Sequence, residues 1–134
     1  MCIRDSSHVQ VPYGKVFPIA NERLKNSLLE MSNKELNTWN TDITNMICAY
    51  FEDMQFLFSE FAKKMHKGGV IYFNVANSAY YGVEVPVDYI IADIAESCGF
   101  KVREIRKARD LKTSPQQSDK IGKLRESVIV IDYQ

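Results

Sequence analysis

The sequence predicts one α/β domain whose last strand lies inside the sheet. Three observations support this prediction. Apolar stripes at helical spacing alternate along the chain with short strand-like runs, which is the pattern of α/β proteins. Residues 127–132 contain an unbroken Val-Ile-Val-Ile run, whereas the preceding strand-like run, 101–107, is rich in charge. The 134 residues are enough for one hydrophobic core and too few for two.

The composition excludes several classes of protein. With 46% hydrophobic and 25% charged residues, the chain is neither collagen-like nor low-complexity nor wholly disordered. Seventeen basic residues balance seventeen acidic ones, so no overall field attracts nucleic acid or membrane. Three widely spaced cysteines and two histidines argue against a disulfide framework or a metal site. Without a membrane-length apolar run or a signal sequence, we expect a soluble, cytoplasmic protein.

The first 18 residues show no apolar period and are interrupted by Pro12, Gly14 and Pro18. The opening string MCIRDS resembles a translated sequencing adapter of the kind found at the ends of assembled environmental reads. We therefore interpret residues 1–18 as an artefactual or disordered leader and residues 19–134 as part of a longer domain.

Two helices are predicted next. The first spans 21–31, with Leu24, Leu28 and Met31 on one side, and ends at Asn33. The second begins with Thr41 or Asp42 as N-cap and ends at the glycines of 68–69. Its apolar face, which we expect to be core rather than an oligomer seam, comprises Ile43, Met46, Ile47, Tyr50, Phe51, Met54, Leu57, Phe58, Phe61 and Met65.

The remaining elements complete a crossover unit. Residues 70–76 are apolar, β-branched and aromatic without polar alternation, which predicts a strand covered on both faces. A turn-rich loop, 77–86, leads to a helix over 87–98 that stops at Gly99. Charged residues surround Val102 and Ile105 in 101–107, as in a strand at the rim of a sheet.

The crossover places the first two strands in parallel. If the final strand, 127–132, inserts between them, it runs antiparallel beside the rim strand and is joined to it by a loop over 109–126.

Several short strings, in this order and spacing, together resemble the C-terminal half of site-specific DNA methyltransferases that use S-adenosylmethionine. The resemblance covers residues 50–133 and rests on YFEDM (50–54), KGG (67–69), NSAYYGV (77–83) with Pro86 and Asp88, IAE (94–96), GF (99–100), TSPQQ (113–117) and LRES (124–127). It implies a partial Rossmann-like, class I methyltransferase sheet with an inserted antiparallel last strand and helices on the sheet faces.

The resemblance also implies a function for the intact protein: transfer of a methyl group to the exocyclic amine of adenine or cytosine in DNA, with a restriction endonuclease as a possible partner. Two family motifs are absent from the 134 residues, a glycine-rich turn for the cofactor and a Pro-Pro-aromatic element for the flipped base. We therefore assign no catalytic residue and expect this chain alone to be inactive. The alternatives are an RNA or protein methyltransferase of the same fold, or a non-catalytic nucleic-acid-binding module.

Residues that follow the first strand are candidates for the wall of the substrate and cofactor pocket. In open α/β sheets ligands bind beyond the carboxyl ends of strands, where Asn77 and Ser78 stand. Tyr80 and Tyr81 are candidates for stacking on a base. The alternatives are turn hydrogen bonds for the first two residues and core packing for the tyrosines. Gly82 is expected to meet a backbone requirement.

Residues 101–125 carry nine basic and three acidic side chains, which suggests phosphate contact. Within this stretch Lys112, Ser114 and Arg125 are the DNA-contact candidates, because by resemblance the loop between the last two strands borders the pocket. The alternatives are a solvated edge strand, a structural pair formed by Arg125 with Glu126, and plain turn chemistry at Ser114.

Overall fold

The computed structural model describes residues 21–34, 41–80, 82–112 and 123–134. The predicted leader, 1–18, lies outside these residues. The described elements are α1 (Glu22–Lys34), α2 (Thr41–Lys64), β1 (Val70–Ala76), β2 (Ser78–Tyr80), β3 (Val83–Val85), α3 (Val87–Ser97), β4 (Phe100–Lys112) and β5 (Lys123–Tyr133). None of the described helices is long and apolar enough to cross a membrane.

The main sheet has the strand order β1-β5-β4, and β5 is antiparallel to both neighbours. In the register, Ile129 of β5 lies opposite Phe73 of β1 on one side and Ile105 of β4 on the other. β1 and β4 therefore run in the same direction, with α3 between them in sequence. The prediction that the last strand inserts between the two earlier ones is confirmed, and the fold is mixed α/β.

The core lies on one face of this sheet. Phe58 of α2 is fully buried, with its ring centroid 5.2 Å from that of Phe73 in β1 and 5.9 Å from that of Phe100 in β4. α3 packs against the same face, and α1 packs against α3 and β3. The apolar face of α2 is largely core, as predicted, although Tyr50 remains 41% exposed.

The opposite face of β1 is open, so the prediction of a strand covered on both faces is wrong. Alternate residues of β1 are exposed, and Tyr72 is 69% exposed. Helices were predicted on the sheet faces, and the described helices that contact the sheet do so from the side of Phe73. An unbroken apolar run does not distinguish a strand with two covered faces from one with a single covered face.

The segment 77–86 is not a simple loop, because β2 and β3 pair in it as a hairpin. Gly82 in its turn has a φ of 75°, which meets the predicted backbone requirement. The predicted loop 109–126 is wrong at both ends, since β4 extends to Lys112 and β5 begins at Lys123. A register shift between Val102 and Glu104 explains the three-residue spacing of Val102 and Ile105.

The helix boundaries were predicted to within a few residues. The Asn21 side chain caps α1 by accepting a hydrogen bond from the Leu24 N–H (3.0 Å), and α1 continues through Asn33 instead of ending there. α2 starts at Thr41 and ends at Lys64, four residues before Gly68. α3 ends just before Gly99, whose φ of 98° confirms the predicted glycine stop.

Candidate functional site

A buried carboxylate lies where the carboxyl end of β1, the start of α3 and the start of β5 meet. Asp88, the second residue of α3, has no exposed surface. It accepts hydrogen bonds from Arg125 Nε (2.6 Å) and Nη2 (3.1 Å), from Ser127 Oγ (2.9 Å) and from the Tyr89 N–H (2.8 Å). The first turn of a helix also favours an acidic side chain through its dipole. Both carboxylate oxygens are therefore well satisfied.

Arg125 reaches Asp88 because of its position in β5. Arg125 and Ser127 are two residues apart and thus share the face of the sheet that α3 covers. The Arg125 guanidinium lies 4.8 Å from the centroid of the Tyr89 ring, and Arg23 lies 5.0 Å from the same centroid. Arg23 is held by Asp93 at 3.0 Å. Tyr89 thus contacts two cations.

Asn77 joins this cluster from the end of β1, and its side chain is used internally. It is 4% exposed, and its Oδ1 accepts a hydrogen bond from the Asp88 N–H (3.1 Å). This bond satisfies a free N–H at the start of α3, where the N-cap residue Pro86 supplies no side-chain bond. Asn77 Nδ2 donates to Glu84 Oε2 at 2.9 Å, and the Asn77 N–H donates to the Arg125 carbonyl at 3.0 Å.

The negative charge of Asp88 and the positive charge of Arg125 stabilise each other. Burial by itself raises the pKa of Asp88, but the hydrogen bonds from Arg125 and Ser127 and the charge of Arg125 together hold this pKa below its ordinary value. The hydrogen bond to Asp88 in turn raises the pKa of Arg125. Neither group exchanges a proton near neutral pH, so the pair is suited to holding backbone segments in place and not to acid–base catalysis.

The cluster, which we call the Asp88 cluster, consists of Asn77, Glu84, Asp88, Tyr89, Arg125 and Ser127. It connects β1, β3, α3 and β5. Among the described residues, no group of three or more His, Cys, Asp or Glu side chains is placed to hold a metal ion.

The structure places the predicted pocket residues in different surroundings. Asn77 is in the Asp88 cluster, Ser78 is half-buried in β2, and Tyr80 is half-buried against the core. Tyr81 lies outside the described residues. These contacts do not test the pocket role, which stays a prediction for all four residues.

The three residues predicted to contact DNA also lie in different surroundings. Lys112 is exposed at the end of β4, Arg125 is bound to Asp88, and Ser114 lies outside the described residues. The alternative of an Arg125 pair with Glu126 is wrong, because Glu126 accepts from Arg109 Nε at 2.7 Å instead. Adjacent residues of a strand point to opposite faces, which keeps these two side chains apart.

Sequence reasoning assigned no role in a site to Asp88, Ser127, Glu84 or Tyr89. A signal for the central pair was present: an acidic residue in the first turn of an otherwise apolar helix, and an arginine directly before a buried strand. Nothing in the sequence, however, indicates that these two residues meet across 37 positions.

Comparison with known proteins gives three relatives, all methyltransferases. The chain is 35% identical over 101 residues to the type II methyltransferase M.BsoBI of Geobacillus stearothermophilus, a match that covers 73% of this chain and 19% of the relative. It is 34% identical over 76 residues to the type II methyltransferases M.AvaI of Nostoc sp. strain PCC 7120 and of Anabaena variabilis, covering 57% of this chain and 15% of each relative.

These matches confirm the predicted resemblance to site-specific DNA methyltransferases, since the chain is similar to one segment of each relative. It spans about a fifth of the length of M.BsoBI. No protein-family model matches the chain, and no solved structure matches it.

Proposed function

We propose that this chain is a segment of an S-adenosylmethionine-dependent DNA methyltransferase with the Rossmann-like class I fold, which methylates the exocyclic amine of adenine or cytosine. The observation that carries the proposal is the insertion of β5, antiparallel, between β1 and β4 in a chain similar to type II methyltransferases. Neither the strand order nor the similarity would be as informative alone, since one fold serves many functions.

Within this proposal the Asp88 cluster supports the wall of the pocket. Ligands of open α/β sheets bind beyond the carboxyl ends of parallel strands, and Asn77 follows the carboxyl end of β1. Its hydrogen bonds to Asp88 and Glu84 fix the β1–β2 connection, so that the proposed wall residues Ser78 and Tyr80 in β2 follow a rigid support. Tyr81 stays a proposed wall residue by resemblance alone. Methyl transfer depends largely on positioning, which makes a rigid support useful.

The described residues do not themselves form a site for S-adenosylmethionine. The side chains of Asn77, Asp88 and Ser127 bond to one another or to neighbouring chain segments, and the sequence has no glycine-rich turn for the methionine moiety. We therefore derive no step of the transfer through the cofactor from this chain. The proposed role of its residues is to shape the pocket and contact DNA, with Lys112 and Ser114 as the proposed contacts.

A chimeric enzyme tests the proposal. The segment of the Geobacillus stearothermophilus relative that this chain matches is replaced by this chain, and the purified chimera is incubated with tritiated S-adenosylmethionine and either plasmid DNA or total RNA. We expect label in DNA and none in RNA, with the labelled nucleoside identified by mass spectrometry as an amino-methylated adenine or cytosine.

The unaltered relative serves as the positive control, and thermal melting together with cofactor binding shows whether the chimera is folded. A chimera that melts cooperatively and binds cofactor but leaves DNA unlabelled would contradict the proposal. Label in RNA or protein instead would favour a methyltransferase with another substrate.

A further inference from the structure

The β4–β5 ribbon projects beyond the rest of the main sheet. The last residue of β1, Ala76, lies opposite Glu126, and the pairing of β4 with β5 continues for three more pairs, ending at Lys112 opposite Lys123. At about 3.3 Å per residue, the ribbon extends about 10 Å past β1. Its last described pair, Lys112 and Lys123, is exposed, whereas the neighbouring Leu124 is only 4% exposed.

Ion pairs neutralise most of the basic residues of this ribbon. Its four acidic residues, Glu104, Asp110, Glu126 and Asp132, are each bound to a basic residue of the ribbon, namely Arg106, Lys107, Arg109 and Arg103. Arg125 is bound to Asp88. The positive charge that the sequence concentrates in this region is therefore reduced, among the described residues, to Lys101 at one end of the ribbon and to Lys112 and Lys123 at the other.

Lys112 and Lys123 stand directly opposite each other, and residues opposed in an antiparallel ladder share a face. Like charges in this arrangement repel each other and weaken the sheet, and the Asp110 carboxylate, two residues before Lys112, offsets only part of this repulsion. An anion between or beside the two ammonium groups removes the repulsion. Both side chains are exposed, and the nearby carboxylate that attracts Lys123, that of Asp110, is already bound by Lys107 at 2.8 Å.

We propose that Lys112 and Lys123 bind the phosphate backbone of double-stranded DNA at the projecting end of the β4–β5 ribbon. This inference rests on the proposed function, which supplies DNA as the partner, and assigns the contact to Lys123 in place of Arg125. The DNA major groove admits a two-stranded ribbon, and lysines on the surface of such a ribbon pair with backbone phosphates. Such contacts add affinity without reading sequence.

Salt-dependent DNA binding by the 134-residue chain tests the inference. Fluorescence anisotropy of a labelled mixed-sequence duplex of about 30 base pairs is measured at several salt concentrations, since each phosphate contact contributes about 0.9 to the slope of log affinity against log salt. We expect Lys112→Gln and Lys123→Gln each to reduce this slope by about 0.9, and the double variant by about 1.8. The loss should be equal for two duplexes of different sequence.

Lys101→Gln is the matched control, because Lys101 is exposed on the same strand at the opposite end. It should leave the slope unchanged, and Lys112→Arg with Lys123→Arg should retain it. Absence of DNA binding at the lowest salt, an unchanged slope in the double variant, an equal effect of Lys101→Gln, or tighter binding to duplex RNA would each overturn the inference. Failure of the chimera to methylate DNA would instead contradict the proposed function, since this binding assay involves no methyl transfer.

Discussion

Replacing Arg125 should destabilise the protein strongly, because its partner is buried. In Arg125→Gln the carboxylate of Asp88, which has no exposed surface, loses two of its hydrogen bonds and its counter-charge. Removing one partner of a buried ion pair typically costs 3–5 kcal/mol, and since the Arg125 side chain is 32% exposed we expect the lower end, about 3 kcal/mol of unfolding free energy at pH 7.5.

This loss should shrink as the pH falls. In the parent chain the pKa of Asp88 is lowered by folding, so its contribution to stability is present above the ordinary carboxyl range and is lost as the pH falls through the folded-state pKa. Without Arg125, only the hydrogen bonds from Ser127 and the Tyr89 N–H counteract the effect of burial, so the pKa of Asp88 rises above its unfolded value. The variant is then penalised most at neutral pH and is relieved when Asp88 takes up a proton, so the difference in stability should be smaller at about pH 4.5.

Urea unfolding followed by circular dichroism at both pH values measures the effect. With a slope of about 2 kcal/mol per molar urea, about 3 kcal/mol moves the midpoint by about 1.5 M. Arg103→Gln is the matched control, because it removes an arginine bound to an aspartate, Asp132, by two hydrogen bonds at an exposed position. Its effect should be much smaller, since water screens the pair. Equal midpoint shifts for the two variants, or a pH-independent difference for Arg125→Gln, would refute the reasoning.

Three further substitutions test the packing by the same unfolding assay. Phe58→Ala should cost about 3–5 kcal/mol, because it leaves a cavity among aromatic rings, and a loss below about 1 kcal/mol would contradict the placement of α2. Gly99→Ala should cost about 1–2 kcal/mol, because φ is 98° while no atom lies within 4 Å of the added methyl group, and an unchanged midpoint would contradict this backbone conformation. Tyr72→Thr should change stability by less than about 0.5 kcal/mol, whereas a large loss would show that the second face of β1 is covered.

The strand order was predictable because central strands are apolar and rim strands carry charged residues. The unbroken Val-Ile-Val-Ile of β5 suits a strand with neighbours on both sides, and the charge of 101–107 suits a rim strand. The end of α3 was predictable for a similar local reason, since glycine adopts the positive φ found at Gly99, whereas α2 ends four residues before Gly68. These signals lie within a few residues of the features that they specify.

The features that the sequence did not predict depend on contacts between residues far apart in the chain. The strands β2 and β3 have three residues each and exist because they pair with one another, so the segment 77–86 gave only a turn signal. The charged ends of β4 and β5 likewise become strands through mutual pairing. The Asp88–Arg125 pair joins residues 37 positions apart, and its specificity comes from the register of β5, which the sequence alone does not supply.

The central claim, that β5 lies between β1 and β4, is tested most directly by nuclear Overhauser effects at one residue of β5. Val128 is opposite Asn74 of β1 and also opposite Arg106 of β4. Opposed residues of an antiparallel ladder lie about 4.5–5.5 Å apart at their Cα atoms. We predict interstrand backbone cross-peaks from Val128 to both Asn74 and Arg106. Cross-peaks from Val128 to only one of them, or direct backbone cross-peaks between Asn74 and Arg106, would contradict the account.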